Sequence, residues 1–167
     1  MSLPASGPLW LSNIKGEFGG ATPPQNLRAY LKGGGYVNTW DTAPNVPSSG
    51  TIKILDFLGS AKAAAFTASA SPTGVYGSGV GPITANTGNV TVSPSGGSSP
   101  FTYAWTYVSG DVDISVASAT SATTHFHRDI SAFDVPQVWS AVWRCTVTDA
   151  SSRTATVDVT VEVECFN

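Results

Sequence analysis

Apolar residues follow two different rhythms along this chain. Over residues 1–62 they come in short groups at helical spacing, parted by glycine and proline. Leu11, Ile14 and Phe18 fall at i, i+3 and i+7, on one helical face. Ser12 is placed to cap that turn, and Gly19-Gly20 to end it. A second turn opens at Pro23-Pro24, where a missing N–H costs nothing, and gathers Leu27, Tyr30 and Leu31 ahead of Gly33. A third, with Ser49 as its expected cap, carries Ile52, Leu55, Phe57 and Leu58 up to Gly59. Helices of about two turns do not persist alone in water, so these pieces must pack on one another or on a partner.

From residue 63 the rhythm becomes alternation. Trp139, Ala141, Trp143, Cys145 and Val147 alternate with Val138, Ser140, Val142, Arg144 and Thr146. Ala155, Val157, Val159, Val161 and Val163 alternate with Thr156, Asp158, Thr160 and Glu162. Residues 149–153 between them form a short hairpin turn. A third strand covers 101–107; weaker ones are expected at 89–93, 114–117 and 123–130, and an early one near 65–70. The fold class is therefore mainly β: a sandwich over 63–167, with 63–87 as linker plus first strand, preceded by a small N-terminal module of short helical turns and loops over 1–62.

The hairpin register also decides the cysteines. If Thr148 pairs with Thr154, Cys145 faces Val157 and Cys165 lies opposite Gln137. About eight residues at about 3.3 Å each then part the thiols, beyond disulfide reach. Two free thiols are expected, with Cys145 buried as a small apolar side chain.

Composition narrows the function classes. Only 11% of residues are charged, against about 25% in an average globular domain. With a net charge of −3 and no basic block, a nucleic-acid-binding surface is not expected. No apolar run approaches the roughly 18 residues of a membrane span, so no membrane insertion is expected. The opening residues lack a basic stretch followed by an apolar core, so no secretory signal is expected. A poorly charged, Ser/Thr-rich, β-leaning chain suits an extracellular or particle-bound module better than a cytosolic enzyme.

Candidate chemistry is sparse. His125 and His127 share a strand face, but two ligands without a third make no closed metal site. Glu17, Asp41, Asp56, Asp111, Asp113, Asp129 and Asp134 are scattered, with no spacing that enforces a catalytic pair. The glycine runs 33–35 and 77–81 lack the Lys-Ser/Thr of a phosphate loop. No catalytic, cofactor or metal residues are assigned, and the protein is expected not to be an enzyme. Trp40, in a loop-like stretch, is the outward-facing candidate for ligand contact.

Two resemblances to known families add to this reading. An I-x-x-E-F-G-G turn (Ile14, Glu17, Phe18, Gly19, Gly20) is followed by L-x-x-Y-x-x-G-G (Leu27, Tyr30, Gly33, Gly34). Then comes a block running from Pro47 and Ser49-Gly50 through Ile52 to Asp56-Phe57 and Gly59. In order and spacing these resemble a module of tail-associated structural proteins of tailed bacteriophages, with Ile54-Leu55 standing where one apolar residue is usual. The second half is similar to the immunoglobulin-like domains carried by phage virion proteins. The matching blocks are Gly96-Gly97 with residues 100–105, then 108–111, then 144–149.

The second resemblance implies Trp105 as the core tryptophan, Cys145 at the late core-cysteine position and Trp143 in the place of the corner tyrosine. The second strand carries no cysteine, so the usual cross-sheet disulfide is missing, which suits assembly in a reducing cytoplasm.

Together the resemblances imply a virion component of the tail tip, baseplate or fibre region, assembled in the host cytoplasm. Its partners would be other virion tail proteins and further copies of itself in a symmetric assembly. Because about 60 residues bury little surface alone, the first module is expected to dock through Trp10, Ile14, Phe18, Leu27, Tyr30, Ile52 and Phe57. The alternative is an autonomous mini-domain or a cap on the second half. A further alternative role is adhesion to a host cell-surface glycan or protein through the sandwich loops.

Overall fold

Alternation carries the second half of the chain into strands. The computed structural model describes residues 2–5, 10–19, 30–32, 36–37, 41–49, 51–132 and 134–166. The chain divides into two compact units, Met1–Ala64 and Ala65–Asn167.

The second unit is a β-sandwich built from β1 (Thr67–Ser71), β2 (Gly74–Val80), β3 (Ile83–Asn86), β4 (Val90–Ser95), β5 (Thr102–Gly110), β6 (Ser115–Val116), β7 (Thr123–Thr124), β8 (Phe126–Ile130), β9 (Gln137–Thr148) and β10 (Thr154–Phe166). One face is the sheet β2-β10-β9-β5. The other contains β1-β4-β7 and β3-β8-β6. These two pieces continue each other. Between the pairs Asn86↔His127 and Val90↔Thr124, four steps on one strand oppose three on the other, which is a one-residue bulge. Thr87 bridges the gap, its N–H donating to the Phe126 carbonyl at 2.8 Å and its hydroxyl accepting from the Phe126 N–H at 3.0 Å. The chain moves from one face to the other between β1, antiparallel to β4, and β2, parallel to β10.

One core lies between the faces. Val90, Val92, Ile114, Phe126 and Ile130 from one side meet Trp105, Ala141, Cys145, Val147, Val159, Val161 and Val163 from the other. Trp105 is the buried aromatic centre: its ring stands edge-on to Phe126 at 5.6 Å, and its Nε1–H donates to the Ser121 carbonyl at 3.0 Å. The β9–β10 register pairs Thr148 with Thr154, Cys145 with Val157 and Cys165 with Gln137, as the hairpin arithmetic requires. Both thiols are free and buried.

Trp143 departs from its expected role. Its Nε1 is buried without a hydrogen-bond partner, so it closes no corner. It sits in mid-strand opposite Val159, and its ring packs against Phe126 at 5.6 Å and Tyr107 at 6.0 Å. Two strands also escape the sequence pattern. β2 and β3 occupy the stretch containing the second glycine run. Gly77 is needed there because a Cβ would stand 2.7 Å from the Asn86 carbonyl oxygen. Missing side chains let the backbones approach, and they also erase the alternation that marks a strand.

The first unit is organised around α1 (Leu11–Phe18) and a 3-10 helix, Ile54–Phe57. Helical structure begins at Leu11, so Ser12 lies inside the first turn and does not cap it; Asn13 Oδ1 instead accepts the Trp10 N–H at 2.9 Å. Gly19, at φ +84°, ends α1 by donating its N–H to the Lys15 carbonyl at 2.8 Å. The third predicted turn begins later than Ser49. Asp56 opens it by accepting the Lys53 N–H at 2.7 Å, and Gly59 follows at φ +73°. Among the described residues, no helix is long and apolar enough to cross a membrane.

Candidate docking surfaces

The structure separates the seven expected docking residues. Ile14, Phe18, Tyr30, Ile52 and Phe57 are buried in their own unit, together with Leu3, Val37, Ala43 and Val46. Phe57 stands 6.1 Å from the Phe18 ring and edge-on to Tyr30 at 6.0 Å. The Tyr30 hydroxyl donates to the Gly19 carbonyl at 2.7 Å; burial, and then Tyr36, push its phenol above the ordinary range. These five side chains hold the unit together and are not a surface for a partner. The reason is geometric: i, i+4 spacing turns Ile14 and Phe18 to one side of α1, where the Phe57 ring meets Phe18 and is backed by Tyr30 and Tyr36. Trp10 alone of the described anchors faces solvent, at 68% exposure. Leu27 and Trp40 lie outside the described residues.

The unit's acids are tied to backbone. Glu17 accepts the Lys62 N–H at 2.9 Å, and Asp41, itself buried, accepts the Ala63 N–H at 2.7 Å. Those bonds bring residues 62–63 back against the start of the unit, where Ala61 bridges both Ser2 and Thr42. Between residues 2–4 and the exposed side of α1 runs a groove of about 470 Å³, with Gly16 on its helical wall.

On the sandwich, a polar cleft of about 460 Å³ is lined by Asp113, His127, Arg128, Asp129 and Asp134 among others. Its centre is structural. The Arg128 guanidinium lies 3.7 Å over the Trp139 ring, with Asp113 Oδ2 at 3.4 Å and Asp111 Oδ1 at 3.6 Å. The 3.6 Å contact is an ion pair too long for a hydrogen bond, so Arg128 Nε has no hydrogen-bond partner. Asp129 accepts the Thr84 hydroxyl and Asp134 the Ser131 N–H, each at 2.6 Å. The His125 and His127 rings are 6.4 Å apart, and among the described residues no group of three His, Cys, Asp or Glu is placed to hold a metal.

A second surface was missed at the sequence level. On the outer side of β2 and β10, Phe166 is paired directly with Val80 and Glu162 with Tyr76; Glu164 lies between Ser78 and Val138. Exposures there are 48% for Tyr76, 58% for Val80, 56% for Val138 and 45% for Phe166. The Tyr76 hydroxyl donates to Glu164 Oε2 at 2.5 Å, and that bond raises the Tyr76 pKa. Four large apolar side chains thus surround two carboxylates on an edge of the sheet. The even positions of β10 announced an outward face, but the contribution of Tyr76 and Val80 required knowing that β2 is a strand at all.

No family model and no curated protein matches the chain. Among solved structures, it is similar to a nucleoside hydrolase-related hypothetical protein from Saccharophagus degradans that is associated with carbohydrate metabolism. That similarity has 14% identity and a TM-score of 0.40, over 64% of this chain and 26% of that one. The chain thus spans about a quarter of that protein's length. It is also similar to a conjugative transposon lipoprotein from Bacteroides eggerthii DSM 20697, at 12% identity and a TM-score of 0.34, over 57% of this chain and 95% of that one. At these scores neither likeness carries a functional argument.

Proposed function

We propose that the chain is a non-enzymatic structural protein of a bacteriophage tail, in the tip, baseplate or fibre region. Its first unit docks on other tail proteins and displays the immunoglobulin-like sandwich. The observation that carries this reading is the work done by the motif residues. Ile14, Phe18, Tyr30, Ile52 and Phe57 are the core of the first unit. Glu17 pins residue 62, Gly19 ends α1, Asp56 opens the 3-10 helix and Gly59 leaves it at positive φ. Motif residues that build the fold of the unit support the likeness to the phage module.

Docking in this reading uses a preformed surface. The core residues are spent inside the unit, which among the described residues leaves Trp10 and the groove beside α1 to meet a partner. The carboxylates of both units mostly hold backbone, a threonine or an arginine, which suits an assembly part better than a catalyst.

Antibodies raised against the chain test the reading by electron microscopy of phage particles produced by the strain that encodes it. Labelling at the tail is expected. Absence of label from both intact and gently disassembled particles overturns the assignment, and adhesion of the pure chain to host cells without incorporation favours the host-surface role instead.

A further inference from the structure

We propose that the chain associates with itself head to tail: Trp10 and the Gly16 side of α1 in one copy seat on the Tyr76–Val80–Val138–Phe166 face of the next. This rests on the assembly reading above and names the partner of its docking surface.

Charge selects the pairing. The first unit carries five Lys and Arg against three Asp and Glu, whereas the second carries three against eight. The apolar face on β2 and β10 encloses Glu162 and Glu164. Two such faces brought together across a two-fold axis would set these carboxylates against their own kind. A basic unit bearing an exposed aromatic ring fits both the charge and the apolar rim. Among the described residues the first unit has that character: Trp10 is an exposed ring, Lys15 adjoins Gly16, Lys62 is exposed, and the one acid on the groove wall, Glu17, has its carboxylate engaged by the Lys62 N–H.

Gly16 supplies an independent argument. Glycine inside a helix is unfavourable relative to alanine. A Cβ at Gly16 would meet nothing within 4 Å, so the described fold of this chain does not require its absence. A bare stretch of helix beside a groove of about 470 Å³ is what an incoming side chain needs for close approach. Phe166, the largest apolar ring at the rim of the opposing face, is the side chain assigned to that groove. Joining two different surfaces of identical copies gives an open chain or a closed ring, as a repeated tail part requires.

Sedimentation of the full chain over a wide concentration range tests this. Species larger than a dimer are expected, and they should dissociate as salt is raised. Trp10→Ser and Phe166→Ser are each expected to weaken association by about tenfold or more while leaving circular dichroism unchanged, because neither side chain belongs to a core. The Glu162→Lys, Glu164→Lys double variant should do the same without altering the apolar rim. Mixing Trp10→Ser with Phe166→Ser should give a one-to-one pair and nothing larger, since only one competent surface remains on each. A wild-type chain that stays monomeric, a dimer that grows no further, or a mixture that does not pair would overturn the proposal. Tail labelling would stand in each of those cases. Loss of tail labelling with self-association intact would overturn the phage reading alone.

Discussion

Arg153 closes on the buried Asp149 carboxylate with both its Nε and its Nη2, each 2.9 Å from Oδ2. The Ser98 N–H donates to the same oxygen at 3.0 Å, and the Ser151 and Arg153 N–H groups donate to Oδ1 at 2.9 Å each. One carboxylate thus ties the β9–β10 turn to the loop before β5. Gly97 is confined by it: a Cβ there would stand 3.1 Å from Oδ2 and 2.8 Å from the Phe66 ring.

Burial by itself would raise the Asp149 pKa, but three backbone donors and Arg153 outweigh it and hold the group below its ordinary 3.8. The folded state therefore binds fewer protons than the unfolded state near that pH. The resulting stabilisation is complete above 3.8 and is lost as pH falls through the lowered folded value. Asp158, depressed by the Arg144 guanidinium at 2.6 and 2.8 Å, acts with the same sign but is half exposed and contributes less. Urea melts of the wild type should lose stability below about pH 4, and Asp149→Asn should be weaker at neutral pH with a shallower acid dependence. An unchanged acid slope in Asp149→Asn would remove Asp149 from this role.

Core truncations in the first unit should unfold it locally. Phe57→Ala is expected to cost about 3–5 kcal/mol and Ile14→Ala about 2–5 kcal/mol, because both side chains are fully buried. Hydrogen exchange over 41–64 should accelerate in each variant, while the β9–β10 amides keep their protection. Trp10→Ala, at an exposed position, should stay within about 0.5 kcal/mol of wild type. Equal exchange in the Phe57 variant and the wild type would mean that the unit has no core of its own.

The thiols should be silent in the native protein. Burial pushes Cys145 up to about 11, against a weaker opposing hydrogen bond with the Ala104 backbone, so little thiolate exists at neutral pH. Iodoacetamide at pH 8 should leave the folded chain unmodified and add two labels after denaturation. Native labelling at Cys145 would show that the sandwich opens there.

Gly77→Ala places a methyl group 2.7 Å from the Asn86 carbonyl oxygen. A loss of about 1–3 kcal/mol is expected, as for other overpacked sites. Gly88→Ala meets nothing within 4 Å and is the control. Equal melting of the two variants would show that the approach of β2 to Asn86 relaxes without cost.

Alternation determined much of this molecule without help. The runs around Cys145 and Val159 specify β9 and β10, their inward faces and their register, because a strand of period two with one greasy side has a single way to pair across a five-residue turn. Free cysteines followed from that register alone. Helical spacing likewise located Ile14 and Phe18 on one side of α1, but it could not say what would cover that side. Only the tertiary structure put Phe57 and Tyr30 there, turning residues that looked like docking anchors into a core. Spacing records which side chains share a face, whereas the choice between own chain and partner depends on contacts some forty residues apart, such as Phe18 with Phe57. The same limit hid β2. Its glycines carry no hydrophobic signal, and only the nearness of Asn86 to Gly77 and of Ile83 to Gly79 explains the absence of a side chain at those two positions. The outward face of Tyr76, Val80, Val138 and Phe166 is assembled by strand pairing across the sheet, a juxtaposition that no local pattern encodes.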